Sequence, residues 1–355
     1  MKIKSVRSYS KDLGTSRPYS IAYKTVDQVM NAFVEIELDN GMIGIGAANP
    51  SRSVVGESVD ETIAHLATAD FSYLEGKDIA CFEGLLKQTR GFFEQIPGTN
   101  AAIDIALHDV FAQFLEVPLV NYFGQRQATL PTSVTIGIKN VQETVAEAEE
   151  YHGMGFRILK VKTGLNPEED AERVIKITER CPDMVLRVDA NQGYSVPDLN
   201  AFVKNAKQVN LEFIEQPFSI KTFIDQVNQL DKSVLDLVVA DESLRSPQDA
   251  IRLIKEAPGV SIFNIKLMKS GGLLGAKYIA QIAAYSGVRL MWGCNDESIV
   301  SISAALHLAL SCDHTRFLDL DGSLDLIRDV VSGGFMIHNG EMSLSGRTGL
   351  GVKFI

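Results

Sequence analysis

Three carboxylates close three successive apolar runs at one fixed interval: Asp189 in LRVDAN, Glu215 in FIEQP and Asp241 in VVADES, 26 residues apart each time. Lysines bracket them, with Lys160 and Lys162 in LKVKTG upstream and Lys266 in FNIKLM, 25 residues beyond Asp241. One strand and its return helix occupy roughly 25–30 residues in a (β/α) barrel of typical length. The interval therefore predicts five consecutive parallel strands, each ending in charge at the same height. That height is the C-terminal rim, where barrels of this kind carry their chemistry.

The rest of the chain extends the rhythm. Eight strands are predicted at 130–137, 157–162, 185–190, 212–216, 236–241, 261–267, 289–294 and 316–320. Helical periodicity separates them at 141–154, 167–180, 195–208, 221–232, 247–256, 273–286 and 298–311. No eighth helix follows, so the expected architecture is an α/β fold, a (β/α)7β modified TIM barrel over residues 126–322. Residues 1–125 read differently. Two alternating runs meet at Asp39-Asn40-Gly41, a hairpin signal, and helical patterns follow at 58–73, 79–95 and 98–117. Strands followed by helices predict an α+β capping domain. The tail, 323–355, holds short strand-like pieces and is expected to pack back on that domain and complete it.

Composition narrows the function classes. The 355 residues carry a formal net charge of −11, which argues against nucleic acid or an anionic membrane as partner. No apolar run approaches the roughly 18 residues of a membrane span. The scattered cysteines Cys81, Cys181, Cys294 and Cys312 form no CxxC. They predict reduced thiols, a cytoplasmic location and neither disulfides nor a zinc site.

Asp189, Glu215 and Asp241 offer hard oxygen donors with no His or Cys beside them, a set that favours Mg²⁺ or Mn²⁺ over zinc. Lys160 and Lys162, two apart on one strand, point to one face. Crowding and burial are expected to lower the pKa of one of them, giving a base near neutral pH. Lys266 comes four strands later, across the ring, so bases on opposite walls reach opposite faces of a bound carbon. Lys269 reads as a solvated surface lysine. Gly271-Gly272 is read as permitting a turn, His108 as a core or surface residue of its helix, and His307 as a packing residue.

The ordered set KxK, DAN, EQP, ADES and NIKLMKSGG resembles the enolase superfamily in its muconate-lactonizing subgroup, over nearly the whole chain. That family uses a Lys or His base and Mg²⁺ to stabilise an enediolate. The resemblance implies one Mg²⁺ on Asp189, Glu215 and Asp241, with Lys162 and Lys266 as the two acid/base catalysts and Lys160 adding positive charge. It implies that Asn191 orients a metal ligand and that Thr135 makes a backbone contact to substrate. Asp319 and Asp321, in FLDLDG, resemble the paired acids by which dipeptide epimerases hold a free α-ammonium, and Glu297 lies where the subgroup carries a Glu. The implied activity is epimerisation of a dipeptide at the α-carbon of its C-terminal residue. N-acylamino acid racemase and muconate-type cycloisomerase are the alternatives within the subgroup, and a homo-oligomer is expected. Specificity in such proteins comes from two capping-domain loops, here about 15–26 and 47–58. Lys24 and Arg52 in those loops favour an acidic side chain, whereas Asp296 at the seventh strand end favours a basic one.

Overall fold

The computed structural model describes residues 1–16, 19–21, 24–26 and 28–355, with the side chains of 19–21 and 24–26 outside the description. A capping domain comes first. Ile3–Asp12, Met30–Leu38 and Ile43–Ala48 form an antiparallel meander. Its hairpin turns where expected, and Gly41 supplies the positive φ, +86°, that the turn requires. The helix Pro97–Phe114 lies against this sheet so closely that a Cβ on Gly46 would stand 1.9 Å from the Ala102 carbonyl. Glycine is required there for contact, not for its φ.

Eight parallel strands follow in sequential order: Val134–Ile136, Ile158–Lys162, Val185–Asp189, Leu211–Glu215, Val238–Ala240, Ile262–Ile265, Arg289–Gly293 and Thr315–Asp319. A bridge from Thr132 to Leu318 joins the eighth strand back to the first. Among the described residues no helix follows the eighth strand. The ladder places Lys162 opposite Asp189, and Asp189 opposite Glu215, on a common rung. Two residues below that rung, Phe213, Val239, Met291 and Phe317 pack as an apolar floor. Lys160 and Arg187 share this lower level, with the Arg187 guanidinium over the Phe213 and Phe317 rings.

Two predicted elements divide. The run 130–137 splits at Pro131, which has no N–H to give a ladder. Thr129–Pro131 pairs with Glu341–Leu344 of the tail, and Val134–Ile136 enters the barrel. The helix expected over 221–232 is two short ones, Phe223–Val227 and Lys232–Leu235, because Asp231 is extended ahead of the second. The tail divides its contacts. Asp325, Ile327 and Arg328 hydrogen-bond to Leu13–Ser16, and Leu350 N–H donates to Asp109 of the capping helix at 2.8 Å. Among the described residues no helix is long and apolar enough to cross a membrane.

Candidate active site

Four ammonium groups and a larger set of acids meet at the C-terminal rim. Lys160 Nζ lies 2.7 Å from Asp319, 2.7 Å from Glu215 and 3.1 Å from Asp189, in full burial. Lys162 reaches Asp189 at 2.7 Å and keeps 28% of its side chain exposed. Across the ring Lys266 lies 2.9 Å from Asp241. The three acids at the 26-residue interval are fully buried and adjacent.

Lys269 departs from the sequence reading. It is buried, and its ammonium donates to the Asp241 carboxylate, to the Asp241 carbonyl at 2.6 Å and to the Asn264 carbonyl at 2.9 Å. The chain turns into a helical turn, Leu267–Ser270, just after Lys266, and three residues of helix bring Lys269 back under the rim. At Lys160 the pKa moves opposite to the fall expected from lysine crowding. Burial pulls it down, but attraction by Asp319, Glu215 and Asp189 outweighs this and raises it well above the ordinary lysine value. Lys269 does shift down, chiefly from burial.

The acids divide by surroundings. Burial acts to raise Asp189 and Asp241, yet the neighbouring lysines outweigh it and hold both below the usual carboxylate range. Glu215 is pushed up to about 8 by burial and by Asp189 and Asp241. Two of these acids have a buried oxygen, Glu215 Oε2 and Asp241 Oδ2, that accepts no hydrogen bond, although an ammonium nitrogen lies 2.7 Å from the first and 2.9 Å from the second. Among the described residues no three acids, histidines or cysteines close around a metal-sized gap, since lysine nitrogens contact each of the three. The donor set still fits a hard divalent cation: three carboxylates, buried oxygens without hydrogen-bond donors, and no sulfur or imidazole.

Several positioning groups were not anticipated. Asn264 lies two residues before Lys266 on the same strand face and donates to Glu215 Oε1 at 2.8 Å. Gln216 accepts from Asp241 N–H and Ser243 N–H, both at 3.0 Å, so it ties the fourth strand end to the fifth. Glu242 is buried beside Asp241 and pushed up to about 7 by burial. Asn191, by contrast, was expected beside a metal ligand; at φ +43° its backbone N–H donates to Asp189 Oδ1 at 2.9 Å.

Asp319 and Asp321 are brought together but play different parts. Asp319 is committed, bonded to Lys160 and to Ser133 Oγ at 2.7 Å. Asp321 Oδ2 accepts from Thr135 N–H at 2.7 Å, while Oδ1 has the Cys294 thiol at 3.9 Å. Burial and the nearby Asp319 push Asp321 up to about 7. Glu297 is buried, pushed up to about 7 chiefly by burial, and lies in the fields of Lys266 and Asp296. Arg52 is exposed and paired with Glu61. The Lys24 side chain lies outside the described residues. The helix start after Gly271-Gly272 is taken by Asp104 of the capping domain, which accepts from Leu273 N–H at 2.6 Å.

Residues 5–124 match the N-terminal domain of the mandelate racemase/muconate lactonizing enzyme family, and residues 143–354 match the enolase C-terminal domain-like family. The chain is 49% identical, over the full length of both, to an L-Lys-D/L-Arg epimerase of Desulforapulum autotrophicum. A dipeptide epimerase of Methylococcus capsulatus, solved with Mg and the dipeptide L-Arg-D-Lys, superposes with a TM-score of 0.96 at 44% identity and full coverage of both chains. The L-Ala-D/L-Glu epimerase of Bacillus subtilis, solved with substrate, gives a TM-score of 0.92 at 30% identity over 99% of each chain.

Proposed function

The chain belongs to the mandelate racemase/muconate lactonizing enzyme family of the enolase superfamily, and from that premise we propose that it is a Mg²⁺-dependent dipeptide epimerase. The reading rests first on one observation: Lys162 and Lys266 stand on the second and sixth strands of an eight-stranded ring, on opposite walls of one rim. Lys162 takes the α-proton of the substrate's C-terminal residue on one face, and Lys266 delivers a proton to the other. In the reverse direction the roles exchange. Lys160, held among Asp189, Glu215 and Asp319, adds positive charge where the enediolate develops. Magnesium on Asp189, Glu215 and Asp241 supplies, when bound, Lewis-acid charge beside the carboxylate of the residue being inverted.

Asp321 receives the dipeptide's free α-ammonium, because its Oδ1 has only a distant thiol for company while Asp319 is already engaged. The preferred side chains are cationic. Relatives named for lysine and arginine support this, as does the presence of an acid, Asp296, at the seventh strand end. Arg52, the basic residue that pointed to an acidic substrate, is paired with Glu61. A homo-oligomer in the cytoplasm remains part of the proposal, to be checked by sedimentation.

The test is proton exchange. With Mg²⁺ in deuterium oxide and pooled dipeptides, lysine- and arginine-containing dipeptides are expected to gain one dalton and to interconvert between epimers. Gain only in N-acyl amino acids would overturn the dipeptide assignment in favour of an N-acylamino acid racemase.

A further inference from the structure

The seventh strand end is held by the capping domain through neutral amides. Asn49 Nδ2 donates to the Asp296 carbonyl at 2.6 Å, and Asn295 Nδ2 returns a bond to the Asn49 carbonyl at 2.9 Å. Asn31, fully buried on the central strand of the capping sheet, approaches the same Asp296 carbonyl at 3.5 Å and accepts from Ser298 N–H at 3.1 Å. Asn295, Asp296 and Ser298 are thus each gripped from the capping side.

The opposite side of this strand end is closed as well. A Cβ on Gly322 would stand 1.9 Å from the Asn295 carbonyl, and Gly322 N–H donates to Cys294 Sγ at 3.3 Å. Cys294 in turn donates to the Asp319 carbonyl at 3.3 Å. The strand end is therefore wedged between the capping loop and the loop that carries Asp319 and Asp321.

The capping loop itself is anchored at both ends. Asn49 and Pro50 hold one end, where a Cβ on Gly98 would stand 2.5 Å from Pro50. Glu57 holds the other, buried and accepting from Gly98 N–H at 2.7 Å, Thr99 Oγ1 at 2.5 Å and Thr62 Oγ1 at 2.8 Å. Between them Arg52 and Ser53 are exposed, with Arg52 paired to Glu61 within the capping domain.

We propose that Asn49 and Asn295 form an interdomain latch that fixes the peptide plane after Asp296, and that this latch sets the discrimination between cationic and neutral dipeptides. A carbonyl pinned from across the domain boundary fixes the direction of its own residue, and ion pairing over a few ångströms is steeply sensitive to direction and distance. Asn49 is a positioning residue in this account and touches neither the metal ligands nor the lysines. The latch rests on the dipeptide-epimerase reading and adds a means of selecting side-chain charge.

The test compares wild type with Asn49→Ala and the isosteric Asn49→Asp, which lacks the donor. Each protein is assayed with Mg²⁺ on L-Lys-L-Lys and on L-Ala-L-Ala, with amide hydrogen exchange read over residues 294–298. The latch predicts that both variants raise KM for the lysine dipeptide about tenfold and change its kcat less than threefold. It also predicts that turnover of the alanine dipeptide holds within threefold and that exchange at 295–298 quickens about tenfold. Equal loss on both dipeptides, or unchanged discrimination in an active enzyme, overturns the latch alone. A wild type that exchanges the α-proton of neither dipeptide overturns the parent reading, and the latch's role in specificity with it.

Discussion

The barrel rim and the seam between the domains are both polar and both buried, yet they follow opposite electrostatic plans. At the rim Asp189, Glu215, Asp241, Glu242, Glu297, Asp319 and Asp321 crowd around Lys160, Lys162, Lys266 and Lys269, and some buried acid oxygens accept no hydrogen bond. At the seam neutral amides work beside a few isolated charges, such as Asp104 on Leu273 N–H and Arg90 on the Ser270 carbonyl. Asn31, Asn49 and Asn295 exchange amide bonds. His307 accepts from Val120 N–H at 2.9 Å, and burial holds it neutral. The lesson is one of division. A site with more acid than its own ammonium groups can balance is built for cationic partners. A seam bonded largely through amides and backbone groups holds a shape, even with Asn100 Oδ1 and His307 Nε2 buried there without a hydrogen-bond partner.

The largest effect should come from removing what the rim is built to hold. Chelation with EDTA is expected to abolish dipeptide epimerisation, and added Mg²⁺ to restore it, with the far-ultraviolet circular dichroism unchanged. Activity indifferent to chelation would break the contrast at its root. Next, Asp241→Asn leaves Lys266 and Lys269 without their carboxylate, and breaking a buried pair destabilises by about 3–5 kcal/mol. Urea unfolding should show that loss.

His307 sharpens the comparison from the seam's side. Its pKa is depressed from 6.5 to about 4, chiefly by burial. An unfolded chain takes up the proton first as pH falls, so its stabilisation is complete above pH 6.5 and is lost as pH drops through 4. The difference amounts to about 3 kcal/mol, and His307→Gln should flatten that part of the stability–pH curve. The smallest effect belongs to Asp321→Asn, which keeps an oxygen for Thr135 N–H. A charge-assisted hydrogen bond contributes about 1.5–3 kcal/mol, so kcat/KM on dipeptides should fall roughly 10- to 100-fold, while any N-acylated analogue is turned over as before.

The rim was legible because it is periodic. A barrel returns every strand end to the same ring, so an interval of 26 residues in the sequence becomes adjacency in space, and Lys162, Asp189 and Glu215 share a rung. Lys269 was misread because it follows the strand on a helical turn, where strand alternation no longer says which way a side chain faces. Asn264 carried a weak signal, two residues from Lys266 on the same face. Asn31 and Asn49 carried none. They are neutral, unpatterned and some 250 residues from the strand end they grip. The split of 130–137 was foreshadowed by Pro131, whereas the break before Asp231 depends on a turn that helical periodicity does not register.

The central claim is that Lys162 and Lys266 work on opposite faces of one carbon. It is tested most directly by following solvent deuterium into separate L,L and L,D dipeptides with Lys162→Ala and Lys266→Ala. The account predicts that neither variant interconverts the epimers, that Lys266→Ala labels one epimer without inverting it, and that Lys162→Ala labels the other. Interconversion surviving in either variant, or both variants labelling the same epimer, would contradict it.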